Sequence, residues 1–271
     1  MKAVIRKAGA FIRKDWQIDL SYRLAFAGQL VSVLFVVGAF YFFSRMFTGV
    51  PIPSLAPYGG EYFPFVLVGL AFSSYLGVAI RSFSETIRNA QVLGTLEALL
   101  VTPTPPWQII IFSVIYDFLA TSFRLVLFLA AGTLLFGVSF ERANWAGALL
   151  VLVLTIFSFS FLGIFSASLV LAFKRVDPSS WLVQGFSYLL GGVYYPVAVL
   201  PDWGQTLAQL LPITHGLEAM RKLLLVGASL GEVSNSLLGL ILFSAIAGPL
   251  SILSFLAALR RVKYEGSLNH F

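Results

Sequence analysis

Six long apolar runs alternate with short polar breaks along nearly the whole chain, at residues 24–43, 62–80, 108–136, 146–173, 181–195 and 237–259. A helix needs about 20 such residues to cross the hydrocarbon of a bilayer, so the six are expected to be six transmembrane helices. The run at 108–136 is longer than the hydrocarbon is thick at ~1.5 Å per residue, and it must tilt, break or protrude. The break at 44–61 holds Pro51, Pro53, Pro57 and the pair Gly59-Gly60, which is turn chemistry. Between 196 and 228 the pattern changes. Trp203–Leu211 and Thr214–Val226 are apolar but each is too short to cross, and Pro212 separates them. Two half-length helices joined at a proline are expected to form a re-entrant hairpin, packed against protein or a water-filled space. Residues 1–22 place Val4, Ala8, Phe11 and Ile12 on one helical face among five basic residues, the pattern of an amphipathic helix lying in the membrane interface.

One polar stretch, 91–107, fits neither flanking run. Leu93, Leu96, Leu99 and Leu100 recur at helical spacing, which predicts about two turns of amphipathic helix with Glu97 on the exposed side. Gly94 and Thr95 can open that helix, and Pro103, Pro105 and Pro106 close it. The residues alone allow a plain surface connector or a docking helix.

Composition narrows the class. The 271 residues are 58% hydrophobic and 11% charged, where soluble domains carry about a quarter charged residues. The fold class expected is all-α integral membrane, in one transmembrane domain over 1–271. The net charge of +6 gathers at the ends of the apolar runs, which argues for membrane orientation rather than for nucleic acid. With the amino terminus inside, thirteen of the eighteen Lys and Arg fall on the cytoplasmic side, four outside and Arg124 within a span. Both termini and the 91–107 loop are therefore expected in the cytoplasm. The first apolar run starts too far in for a cleavable signal.

Catalytic chemistry is not indicated. There is no cysteine, and His215 and His270 form no ligand cluster. No glycine is followed by lysine, so the phosphate loop that would bind ATP is missing and no cofactor is expected on this chain. Candidate polar positions remain. Asp117 and Arg124 lie seven apart on one face of the third run, either as a structural tie or along a substrate path. Glu218 can pair with Arg221 or Lys222 at helical spacing. His215 reads as a helix-start residue, and Tyr194 and Tyr195 as interface aromatics or a stacking surface for cargo.

The block Gly94-Thr95-Leu96-Glu97-x-Leu99-Leu100-Val101-Thr102-Pro103, followed by Pro106-Trp107, resembles the coupling-helix loop of the type 2 ATP-binding-cassette exporter permeases. A second block, Gly191 to Trp203 and Leu211 to Arg221, is similar to that family's fifth span and re-entrant outer helices. The resemblance implies a non-enzymatic permease subunit of the plasma or inner membrane. A separate ATPase subunit would bind ATP and magnesium, and a second permease subunit, identical or not, would pack alongside. It implies coupling roles for Gly94, Thr95, Leu96, Glu97, Leu99 and Pro103, places Tyr194, Tyr195 and Pro196 near the exit, and puts the position of Glu218 in the outer re-entrant region. Asp117, Arg124 and Glu218 stand as further path candidates on the reading of the residues themselves. The cargo implied is an amphipathic or hydrophobic small molecule or a lipid-linked one. A polysaccharide or lipid-linked glycan is the alternative, and an ion-coupled transporter without an ATPase the more distant one.

Overall fold

The computed structural model describes residues 23–47, 49–92, 106–173 and 178–264, and every regular element among them is helical. The helices are α1 (Arg23–Ser44), α2 (Tyr62–Val92), α3 (Pro106–Phe136), α4 (Trp145–Phe173), α5 (Pro178–Leu190), α6 (Asp202–Gln209), α7 (Pro212–Arg221) and α8 (Ser234–Tyr264). Short 3-10 turns sit at Arg45–Phe47, Pro53–Tyr58 and Val197–Val199, and α7 runs on into a π turn at Lys222–Val226. The interfacial helix expected at 1–22 and the loop residues Gly94, Thr95, Leu96, Glu97, Leu99 and Pro103 lie outside the described residues.

Among the described residues four helices are long and apolar enough to cross a membrane: α2, α3, α4 and α8. The other two expected spans carry shorter described runs, Val31–Phe47 at α1 and 13 residues in α5. The connections gather at two ends. The described parts of the 45–61 segment, the 137–144 turn and the stretch from Gly191 to Val233 share one end, the hairpin end; the last turns of α2, α4 and α8 and the first turns of α3 and α5 lie at the other, the terminal end.

The bundle is inside-out relative to a water-soluble one. On α4, Val151, Thr155, Ser158, Phe159, Gly163, Ser166 and Val170 recur every three or four residues and are buried. The opposite face exposes Leu149, Leu150, Val153, Phe157 and Phe165, large apolar side chains where a soluble helix would carry charge. Lipid is the solvent such a face fits. Within the bundle there is little apolar transfer energy to gain from packing helix on helix, so close approach and hydrogen bonds hold it together. A Cβ on Gly163 would lie 2.4 Å from the Ala79 carbonyl oxygen of α2. Ser84 and Ser166 join α2 to α4 at 2.7 Å, Ser158 and Ser244 join α4 to α8 at 2.8 Å, and the Tyr75 hydroxyl donates to Ser122 of α3 at 2.8 Å.

Helix α2 is the axis. It packs against α1, α3, α4, α5 and α7. Of its apolar window 72% is buried, against 39% or less for α3, α4 and α8, so α2 is the helix lipid reaches least. It also outruns the expected 62–80 span. Arg81 does not close it; the helix continues to Val92 with Phe83 and Ile87 buried and Arg81, Glu85 and Arg88 on the open side. A charge ends a span but not a helix, because an exposed arginine leaves the backbone ladder intact. The fifth helix is shorter than the expected 181–195: it stops at Leu190, and Gly192 takes a left-handed φ of +77° in the turn that follows.

Candidate functional site

The hairpin end is built around α7. Pro212 opens it at a position where a missing N–H costs nothing. Ile213, Leu217, Met220 and Leu224 form its buried face. Arg221 falls on the same face, four residues after Leu217 and eight after Ile213, and is 3% exposed.

Its guanidinium finds no carboxylate among its hydrogen-bond partners. It donates from Nε to the Phe65 carbonyl at 3.0 Å, from Nη1 to Gly192 at 2.7 Å and from Nη2 to Val193 at 2.8 Å. It lies 3.5 Å above the Phe65 ring. One side chain thus ties α7 to the first turns of α2 and to the turn leaving α5. The planar five-donor fork makes this possible; a lysine would present a point charge. Gly69 of α2 makes the room, since a Cβ there would sit 2.4 Å from Nη2 and 2.3 Å from the Val193 oxygen.

Around this anchor lie aromatic rings. Tyr194 stacks on Phe40 of α1 with centroids 5.9 Å apart and planes 9° from parallel, and Tyr188 of α5 stands 6.2 Å from it. The row links α1 to α5 across the turn. Tyr195 donates its hydroxyl to the Leu189 carbonyl, closing the end of α5. Tyr58 packs on Phe65 at 5.2 Å, and burial, assisted by the Glu218 charge, raises its phenol above the ordinary value. Asn144 fastens the far side: its Oδ1 accepts from the Gly147 N–H to cap α4, its Nδ2 donates to Ala228, and its own N–H donates to Leu223 in the π turn at 2.9 Å.

The expected site residues separate. Glu218 pairs with Lys222 at 2.8 Å, leaving Arg221 for the interior. That hydrogen bond is the main cause holding the Lys222 ammonium above its ordinary pKa. His215 Nε2 lies 2.8 Å from the Gln209 carbonyl, linking α7 back to α6 at its first turn. Asp117 and Arg124 belong to α3 rather than to this end. Arg124 reaches Gln29 of α1 at 3.1 Å, and the Asp117 carbonyl accepts from the Thr121 hydroxyl. Sequence reasoning named Tyr194, Tyr195 and Glu218 as candidates and Arg221 only as a pairing partner of Glu218, and it passed over Phe65, Gly69 and Phe40. The two i+4 steps from Ile213 through Leu217 were the available signal for Arg221's place on the buried face. Among the described residues no group of three or more His, Cys, Asp or Glu side chains is placed to hold a metal.

Residues 93–225 match the family model described as ABC-2 type transporter, from the first residue of the loop holding Glu97 to the π turn after Arg221. Over 191 residues the chain is 29% identical to the probable multidrug ABC transporter permease YbhR of Escherichia coli K12, covering 69% of this chain and 51% of that one. It is 28% identical over 164 residues to the inner membrane transport permease YadH of the same organism, covering 60% and 63%. Nodulation protein J of Sinorhizobium fredii is 26% identical over 171 residues, covering 62% and 63%. The chain therefore spans between about half and about five-eighths of the length of these relatives. Both blocks singled out in the sequence fall inside the family match, four of the described helices are long and apolar enough to cross a membrane, and over nearly half its length the chain is similar to the ABC-2 type transporters.

Proposed function

We propose that this chain is the membrane permease subunit of an ATP-driven exporter that moves an amphipathic or hydrophobic small molecule, or a lipid-linked one, out of the cytoplasm. The observation that carries this reading is the match over residues 93–225, which runs from the Gly94–Pro103 loop through the α6–α7 hairpin. The drug-like cargo follows from the relative named as a probable multidrug permease.

On this reading the chain crosses six times, with α1 and α5 as first and fifth spans, and both termini lie in the cytoplasm. The α6–α7 hairpin dips into the membrane from the outer side. A separate ATPase subunit grips the helix at Gly94, Thr95, Leu96, Glu97, Leu99 and Pro103 and supplies ATP and magnesium. Two permease subunits meet along α1 and α5. The exposed apolar side chains Phe35 and Phe42 on α1, and Leu182, Phe186 and Leu189 on α5, suit such a seam. Cargo would leave beside Tyr194 and Tyr195.

Reconstitution with its ATPase tests the proposal. Glu97→Arg is expected to abolish permease-dependent stimulation of ATP hydrolysis while assembly and helical content stay intact. Stimulation undiminished in that variant, or a transport-competent preparation that holds no ATPase, would overturn it.

A further inference from the structure

A second feature lies apart from the hairpin end. Between α3 and α8, over α4, is a cavity of about 580 Å³. Phe83 of α2, Phe118 of α3 and Phe161 of α4 wall it, with Ile252, Leu256 and Leu259 along α8. It sits in the half of the bundle nearest the terminal end, since it takes the early turns of α3 and the late turns of α8. Leu256 and Ile252 are 43% and 47% exposed, so the cavity opens sideways toward the bilayer rather than along the bundle axis.

Its chemistry limits what can fill it. Ser160 supplies the one hydroxyl of the lining, and that hydroxyl already donates to the Ile156 carbonyl at 2.8 Å. A polar molecule would lose its hydration there and gain no partner. A polypeptide segment fits no better. A single helical turn, about 5.4 Å tall and about 11 Å across, takes up roughly the whole volume, and an unpaired backbone would leave its N–H and C=O groups without partners. A saturated chain with no polar atoms fits.

The rim adds a charge. Along α8 the stripe Ile252, Leu256 continues at the next i+4 step to Arg260, which is exposed. An apolar slot ending in a cation at membrane depth complements a molecule with acyl chains and an anionic head. We propose that this groove holds an acyl chain of an anionic phospholipid from the leaflet at the terminal end, its phosphate drawn to Arg260. The site requires only that the helices span a bilayer; it stands whether or not the chain is an exporter.

Native mass spectrometry of the full chain tests it, after release from micelles containing equal phosphatidylglycerol and phosphatidylcholine of the same acyl chains. Wild type is expected to retain phosphatidylglycerol over phosphatidylcholine by about fivefold, the discrimination one basic residue gives at an anionic surface. Arg260→Glu is expected to remove the preference while a lipid is still retained. Ser160→Trp fills the slot and is expected to lose both lipids. Ile246→Trp, on an exposed stretch of α8 outside the groove, is expected to behave as wild type and shows that added bulk alone is tolerated. Equal retention of the two lipids by wild type, or a preference that survives Arg260→Glu, would overturn the headgroup assignment. Unchanged retention in Ser160→Trp, the result expected if residues 1–22 or 93–105 close the groove instead, would overturn the site itself.

Discussion

Arg221 brings a guanidinium into a place where nothing of opposite charge meets it, and its stability rests on the dipoles of three carbonyl groups. Arg221→Met would keep much of the volume but orphan the Gly192 and Val193 oxygens, while the Phe65 oxygen keeps its partner within the helix. Each buried unsatisfied group costs about 1–3 kcal/mol, so a loss of a few kcal/mol is expected. Thermal unfolding in detergent would register it as a clearly lowered midpoint; an unchanged midpoint would mean that the carbonyls find other donors. Arg221→Lys should fall between the two. Glu218→Gln is a contrasting case. The Glu218–Lys222 pair is about one-third exposed, and partly exposed pairs contribute about 1 kcal/mol or less, so the same measurement should barely move. Because the lysine's folded pKa is raised, the pair's contribution is fully present at neutral pH and fades only as pH rises past the ordinary lysine value of 10.5. Sequence spacing made Arg221 and Lys222 equal partners for Glu218. What separates them is α2, a helix more than a hundred residues upstream, and local spacing carries no information about that.

At the scale of elements, spacing between helices is set by what is absent from their surfaces. Gly163→Leu would drive a side chain into the Ala79 carbonyl and the Phe83 ring, 2.4 and 2.5 Å from where its Cβ must go. Overpacking of this kind typically costs about 1–3 kcal/mol. The expected outcome is α4 prised from α2, seen as lost thermal stability and faster proteolysis; an equally stable variant would show that the two helices can slide. The positions of α2, α3, α4 and α8 were legible because an apolar run bounded by charge or proline is a strong signal. Their ends were less so. The expected run stopped at 80 because the charged Arg81 follows it, yet Phe83 and Ile87 stay buried beyond it and the helix runs on to Val92. The end of α5 was over-extended past Gly191-Gly192, a pair whose backbone freedom was the visible clue.

For the whole molecule, the absence of cysteine makes the proposed seam between permease subunits directly testable. Single replacements Phe35→Cys on α1 or Phe186→Cys on α5 are expected to give oxidant-dependent covalent dimers in membranes, and Ile246→Cys on α8 is not. Cross-linking only at Ile246 would place the seam on the other side of the bundle. The sequence singled out two blocks, but not which interior contacts join the helices that carry them. The route between them is α2. It is one unbroken rod of 31 residues, about 46 Å at ~1.5 Å per residue. Its first turns are bolted to the arginine of α7, and its last residue hands the chain to the stretch that holds Glu97. On the proposed reading an ATPase grips one tip of this shaft, and Arg221 pins the other. A sideways tug near Val92 would then be levered against α4 and felt beneath the rings of Tyr58 and Tyr194.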